Sequence, residues 1–264
     1  MENITSVQNP KVKAYKELVS SAKSRREQGR FVLEGLRLCL DVLRSGCEVL
    51  ELYYTKVLFD NNKAEIEELI KVSKEVYEIS ENVAEKMSDT KTAQGVFCVV
   101  ERKTSDSNLL PSGKYILLEN IQDPANIGAV SRTAEALGIS GLIVSGGCDV
   151  LSPKALRASM GALLRIPVIE TEDVMMTIVS AQKKGIKTYA STPREDATDV
   201  TKVDFSGGVI VVIGNEANGV TQSTFSCCGN SITIKMTGRA ESLNAGAAAS
   251  IIMWEMVKPI NEKS

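Results

Sequence analysis

The 264-residue chain is 43% hydrophobic and 24% charged, a globular composition long enough for two ordinary domains. Its complete lack of histidine excludes Ser/His/Asp and Cys/His catalysis and every His-containing metal site. A formal net charge of -2 supplies no global positive field to draw in nucleic acid.

The first element in chain order departs from that balance. From Met1 to Arg30 seven basic residues (Lys11, Lys13, Lys16, Lys23, Arg25, Arg26, Arg30) stand against three acidic ones (Glu2, Glu17, Glu27). The basic amphipathic stretch around Lys11–Gln28 can touch phosphates, or it can be a solvated helix face, the commoner outcome for a lysine-rich helix. Phe31–Leu33 then reads as a short strand, Leu36–Leu43 as a helix and Val49–Tyr54 as a second strand. Asn61 opens a helix to about Lys74, Val76–Ile79 is extended, Asn82–Met87 is a short helix and Gly95–Glu101 a strand. The polar run Lys103–Asn108, with Pro111-Ser112-Gly113 beyond it, marks a linker at 105–113 between a first domain at 1–104 and a second at 114–264.

In the second domain the apolar runs Tyr115–Leu118, Leu142–Val144, Val168–Ile169, Lys187–Ala190 and Val209–Ile213 alternate with helical segments at Ile127–Leu137, Pro153–Leu163 and Val174–Lys184. Near-continuous apolar strands alternating with helices imply a parallel sheet covered on both faces. Ile232–Ile234 adds a strand. Leu243–Val257 is a last helix, apolar around much of its circumference, which predicts burial on more than one side, as at a subunit interface.

The six cysteines, Cys39, Cys47, Cys98, Cys148, Cys227 and Cys228, lie mostly in apolar surroundings without a C-x-x-C pair, and so read as buried thiols of a reducing compartment. No apolar run approaches the ~20 residues needed to cross a bilayer, and the first residues lack an export-signal pattern, so a cytoplasmic address is expected.

Three segments at the ends of apolar runs could carry chemistry: Asn126–Arg132, Gly214–Gly219 and Ser242–Ala245. The carboxyl edge of a parallel sheet is where open α/β folds place ligands. Gly214-Asn215-Glu216-Ala217-Asn218-Gly219 follows the strongest strand, and its glycines allow close backbone approach to a ligand. It fails the G-x-G-x-x-G fingerprint because Glu216 occupies the second glycine position, where a carboxylate would repel a pyrophosphate; this disfavours a nucleotide-dependent oxidoreductase. No G-K-[ST] follows, so phosphate-loop chemistry fails too. Taken singly, Asn126 is a helix cap, Arg132 a surface cation and Ser242-Leu243-Asn244 another cap.

Taken together and in order, Glu119 to Arg132, Ile213 to Gly219, and Ile234-Lys235-Met236 through Ser242-Leu243-Asn244 resemble the SpoU/TrmH family of RNA 2′-O-ribose methyltransferases of the SPOUT superfamily. The resemblance runs from about Tyr115 to Met256 and includes Ala158–Val168. Phe31–Gly35 and its surroundings resemble, less closely, the ribosomal-protein-like α/β substrate-binding domain often fused in front. The implied fold is α/β, with a carboxyl-terminal parallel sheet containing a deep trefoil knot preceded by that smaller domain.

The resemblance implies S-adenosylmethionine as cofactor, held by main-chain groups near Gly214, Ile234 and Leu243, with Ser191 and Thr192 as further wall residues, and no metal. It places Asn126, Arg132, Glu216, Ser242 and Asn244 at the active site. The family proposal makes the arginine a general base. A guanidinium stays protonated across the ordinary pH range, so clamping a phosphate and stabilising alkoxide charge suits Arg132 better, with Ser242 or Asn244 orienting the hydroxyl. The implied partners are ribosomal or transfer RNA and a second copy of the chain, with active sites completed between subunits. Two rival readings keep the fold: a catalytically silent RNA-binding or ribosome-assembly protein, and an enzyme methylating base atoms.

Overall fold

The computed structural model describes residues 2–102, 108–240 and 242–258, so linker residues 105–107 lie outside the described part. The chain forms two compact units, one of residues 1–104 with 149–165, the other of residues 105–148 with 166–264.

The first unit opens with β1 (Glu2–Ile4) and α1 (Pro10–Ser20), where the Asn9 side chain caps the Lys11 amide. The basic stretch is two helices rather than one. Ser21 takes an extended conformation, ends α1, and accepts from the Ser24 amide to start α2 (Ala22–Gln28), which stops at left-handed Gly29. There follow β2 (Arg30–Glu34), α3 (Leu36–Ser45), β3 (Val49–Thr55), α4 (Lys56–Asn61), α5 (Lys63–Val72), β4 (Ser73–Ile79), α6 (Glu81–Met87) and β5 (Val96–Glu101). The expected helix from Asn61 is thus preceded by α4, which Thr55 caps through the Leu58 amide, and it begins after a break at Asn62.

These strands make a five-stranded sheet in the order β1-β4-β3-β5-β2, with β5 antiparallel to β3 and β2. Tyr15 of α1 packs edge-on against Tyr53 and Phe97 in its core. Three of the basic residues are engaged within the fold, Lys16 through a hydrogen bond to the Ser88 carbonyl at 3.2 Å. Lys11 bridges Glu51 at 3.2 Å and Glu75 at 2.6 Å, and buried Arg25 pairs with Asp149 at 2.7 Å. Lys13, Arg26 and Arg30 remain exposed.

The second unit starts with β6 (Lys114–Glu119), α7 (Pro124–Ala136) and β7 (Gly141–Ser145). The chain then contributes α8 (Pro153–Ala158) and α9 (Ala162–Arg165) to the first unit. The single helix expected there is broken because Met160 (φ 49°) and Gly161 (φ 82°) are left-handed. Arg157 pairs with Asp89 and Arg165 with Asp41, so each of these two helices holds an ion pair to the earlier part of that unit.

The second unit resumes with β8 (Val168–Glu170), α10 (Val174–Lys183), β9 (Lys187–Ser191), β10 (Thr198–Asp199), β11 (Val209–Ile213), α11 (Gln222–Cys228), β12 (Ser231–Thr233) and α12 (Ala245–Val257). All pairs in its seven-stranded sheet are parallel, in the order β10-β12-β9-β11-β6-β7-β8. The α/β architecture with a parallel sheet is as expected. β10 and α11 are additional. Because every strand points the same way, the loops after β6, β9, β11 and β12 all leave one edge, where the strand order changes direction beside β6.

Candidate active site at the carboxyl edge of the parallel sheet

The loop after β6 makes a sharp turn. Asn120 is left-handed (φ 57°), and its Oδ1 accepts from Gln122 Nε2 at 2.8 Å. Asp123 caps α7 through the Ala125 amide, and Pro124 occupies the first turn, where a missing N–H costs nothing. This places Asn126 in the first turn of α7, where it is 5% exposed.

The loop after β11 is a tight hairpin in which Asn215 and Gly219 exchange backbone hydrogen bonds at 3.1 and 2.8 Å. A Cβ on Gly214 would lie 2.0 Å from the Gly219 carbonyl carbon, so only glycine allows the closure. Asn215 Oδ1 accepts from the Ala217 and Asn218 amides, and its Nδ2 donates to the Asn120 carbonyl at 2.9 Å, tying the two loops together. Beneath them, buried Glu119 accepts from the Thr221 amide and hydroxyl at 2.9 Å and from the Thr224 hydroxyl at 2.5 Å.

The third segment starts α12. Asn244 Oδ1 accepts from the Gly246 and Ala247 amides as a helix cap, and its Nδ2 donates to Asn126 Oδ1 at 2.8 Å. Asn126 Nδ2 in turn donates to Glu216 Oε1 at 2.7 Å. The Gln122 and Asp123 amides reach the same carboxylate at 3.3 and 3.4 Å. Partial burial pushes the Glu216 carboxyl up, but these hydrogen bonds outweigh it and hold the pKa below the ordinary carboxylate value. One directed chain therefore runs from the α12 cap through Asn126 to an ionised carboxylate.

Of the five expected catalytic residues, three are joined. Arg132 is exposed on α7 and Ser242 is exposed before α12, and neither side chain makes a hydrogen bond or ion pair among the described residues. Asn126 and Arg132 are six residues apart on one helix, which separates them by about 9 Å along the axis and turns them to faces about 120° apart. Among the expected cofactor residues, Ser191 ends β9, the Thr192 amide donates to the Ile232 carbonyl at 3.0 Å, Ile234 follows β12, and Leu243 is 37% exposed. Ile234 and Leu243 enter no backbone hydrogen bond among the described residues, and Gly214 lets the main chain approach closely. Such free main-chain groups fit the edge of an adenine and the polar tail of S-adenosylmethionine. Among the described residues no cluster of acidic and thiol groups could hold a metal ion.

Sequence reasoning passed over Glu119, Asn120, Asn215 and the Gln122 and Asp123 amides. Glu119 carried a usable signal, since a carboxylate closing an otherwise apolar strand needs a partner.

The chain is similar to known proteins along nearly its whole length. The model of the SpoU rRNA Methylase family matches residues 113–254, and that of the MRM3-like substrate binding domain matches residues 9–98. A 23S rRNA (uridine(2479)-2′-O)-methyltransferase of Streptomyces viridochromogenes is 29% identical, over 97% of this chain and 91% of its own length. The 23S rRNA (guanosine(2553)-2′-O)-methyltransferase RlmP of Bacillus subtilis is 26% identical, over 97% of this chain and 99% of its own. Among solved structures, an AdoMet-bound rRNA methyltransferase from Sinorhizobium meliloti superposes with a TM-score of 0.84 at 29% identity, covering 97% of each chain. With the family model spanning all three polar segments and the parallel sheet that gathers them, the chain belongs to the SpoU rRNA methylase family.

Proposed function

We propose that this protein transfers a methyl group from S-adenosylmethionine to a ribose 2′-hydroxyl of ribosomal RNA. The observation that carries the reading is the Asn244–Asn126–Glu216 hydrogen-bonded chain at the edge of a parallel sheet, in a chain whose relatives named above act on 23S rRNA at ribose oxygens. A bound S-adenosylmethionine supplies a methyl carbon already activated by its sulfonium, so the residues need only orient the acceptor and manage its proton. Gly214, Ile234 and Leu243 would hold the cofactor through main-chain groups, with Ser191 and Thr192 as wall residues, on loops threaded as the trefoil knot that the family resemblance implies.

Asn126 is fixed on both sides, so its own amide is oriented rather than free to react. Its function is to hold the carboxylate of Glu216 and the α12 cap in register at the acceptor's position, with Ser242 exposed at the entrance to α12 to orient the hydroxyl. Arg132 supplies the positive charge for a flanking phosphate and for the developing alkoxide.

Arg132 faces away from Asn126 on the same helix, which supports completion of each site by a second copy of the chain. α12 buries Ala249, Ile252, Met253 and Met256, while Ile251 (39%) and Trp254 (58%) stay exposed, leaving an apolar face for a homodimer. Among the described residues no helix is long and apolar enough to cross a membrane. Ribosomal RNA as the substrate places the enzyme in the cytoplasm.

The deciding experiment incubates the protein with methyl-labelled S-adenosylmethionine and unmodified ribosomal RNA, then digests the RNA and locates the methyl by mass spectrometry. Methyl on ribose supports the reading. Methyl on a base, or cofactor binding without incorporation into ribosomal RNA, overturns it.

A further inference from the structure

The first unit contains a cavity of about 310 Å³ that no part of the chemistry above uses. Its wall combines the start of α3 at Gly35–Leu38 with Thr90 and Gln94 and, from α8 and the turn beyond it, Arg157 and Met160. The volume is far larger than a water or an inorganic ion needs and lies in the size class of one nucleotide.

The polar groups around it are unevenly matched. Every carboxylate in or beside it already has partners: Glu34 accepts from the Ser88 hydroxyl, the Asp89 amide and the Thr90 hydroxyl, Asp41 pairs with Arg165, and Asp89 with Arg157. Donors are left over. The Arg37 side chain is exposed and makes no ion pair or hydrogen bond among the described residues. Arg157 lines the cavity as well, but its Nη2 is held by Asp89 and its Nη1 is buried out of reach of the space, so it adds no donor to it. Gly35 precedes α3 at φ 97° and offers no side-chain cap, so among the described residues no side chain caps the first amides of that helix. Leu36 and Met160 add apolar wall beside these donors. A surplus of cationic and N–H donors around a nucleotide-sized space selects an acceptor-rich ligand carrying negative charge.

We infer that this cavity binds one nucleotide of the RNA substrate, with its phosphate held by Arg37 and the start of α3 and its base and sugar against Leu36, Gln94 and Met160. The inference rests on RNA being the substrate, and it adds a second anchoring point outside the methyl-transfer site. Phosphate contacts of this kind set register while base contacts choose sequence, so the cavity would position the RNA rather than react with it.

The test uses the full-length protein labelled at its methionine methyl groups, with the Met160 resonance assigned from Met160→Leu. Uridine 5′-monophosphate, inorganic phosphate and uridine are titrated separately. The expected result is a saturable shift of Met160 with the monophosphate that Arg37→Glu weakens at least about tenfold, as the reversal of one charge at a phosphate contact should. A shift with inorganic phosphate of the same affinity would reduce the site to a general anion site and overturn the nucleotide assignment, as would saturation by uridine alone or no shift at all.

In parallel, Arg37→Ala should lower the salt slope of ribosomal RNA binding by about one unit, the signature of one lost phosphate contact. An unchanged slope and affinity would also overturn the inference. S-Adenosylmethionine binding measured on the same samples separates the two readings. If wild-type protein binds cofactor and the monophosphate but methylates no RNA, the function proposed above fails while the cavity stands as a nucleotide site alone.

Discussion

Asn126 donates to Glu216 at 2.7 Å although 90 residues separate them along the chain. The contact exists because β6 and β11 are hydrogen-bonded neighbours, so their following loops leave the sheet side by side. It makes the carboxylate testable through the amide that holds it. Glu216→Ala leaves the buried Asn126 Nδ2 without its acceptor, at a cost of about 1–3 kcal/mol. The melting temperature should fall by about 2–4 °C for each kcal/mol lost, read by differential scanning calorimetry. Glu216→Gln, which keeps an acceptor, should recover most of that stability without recovering methyl transfer.

The depressed pKa of Glu216 has a pH consequence with a definite sign. Its hydrogen bonds to Asn126 and the Gln122 and Asp123 amides favour the charged form, so their contribution is present above the unfolded-state pKa and is lost as pH falls through the lower folded-state value. The stability difference between wild type and Glu216→Gln should therefore be full at neutral pH and shrink under acid. A difference that grows as pH falls would contradict the assigned hydrogen-bond pattern.

The parallel sheet and the three polar segments were legible because β6, β7 and β11 are short, nearly uninterrupted apolar runs, and because Asp123-Pro124 announces the start of α7. α11 was not legible: Gln222–Cys228 is made of residues with weak helix preference and is started by the Thr221 cap rather than by an apolar period. The break between α8 and α9 depends on two successive left-handed residues, of which Gly161 is a local signal that was passed over and Met160 is not announced by any residue preference. The Asn244–Asn126–Glu216 chain lay out of reach for a different reason. Each member reads alone as a cap or a turn, and only the strand order makes them neighbours.

Gly214 should tolerate no side chain. In Gly214→Ala the added Cβ meets backbone of Gly219 and Val220, which cannot swing aside as a side-chain end can. Opening the hairpin should cost about 1–3 kcal/mol and move Glu216 away from Asn126. Cofactor affinity, measured by isothermal titration calorimetry, should fall together with stability. Retained affinity would separate the hairpin from the cofactor site.

Arg132 and the exposed face of α12 test the two-subunit site together. The exposed Arg132 side chain makes no hydrogen bond or ion pair among the described residues, so Arg132→Ala should leave folding and S-adenosylmethionine binding intact while lowering turnover about 10²–10³-fold, the scale of losing one charge-stabilising donor. If Arg132 serves the partner's acceptor site, pairing Arg132→Ala with Glu216→Ala chains leaves one intact site in each mixed dimer. Random pairing makes about half the dimers mixed, so about a quarter of wild-type activity should return. Exposed Ile251 and Trp254 lie close to one face of α12, three residues apart, where charge would meet charge across a two-fold contact. Ile251→Asp with Trp254→Glu should therefore give a monomer by light scattering that binds cofactor and transfers no methyl. A fully active monomer would place Arg132 in its own subunit's site, and the mixed dimers would then regain no activity at all.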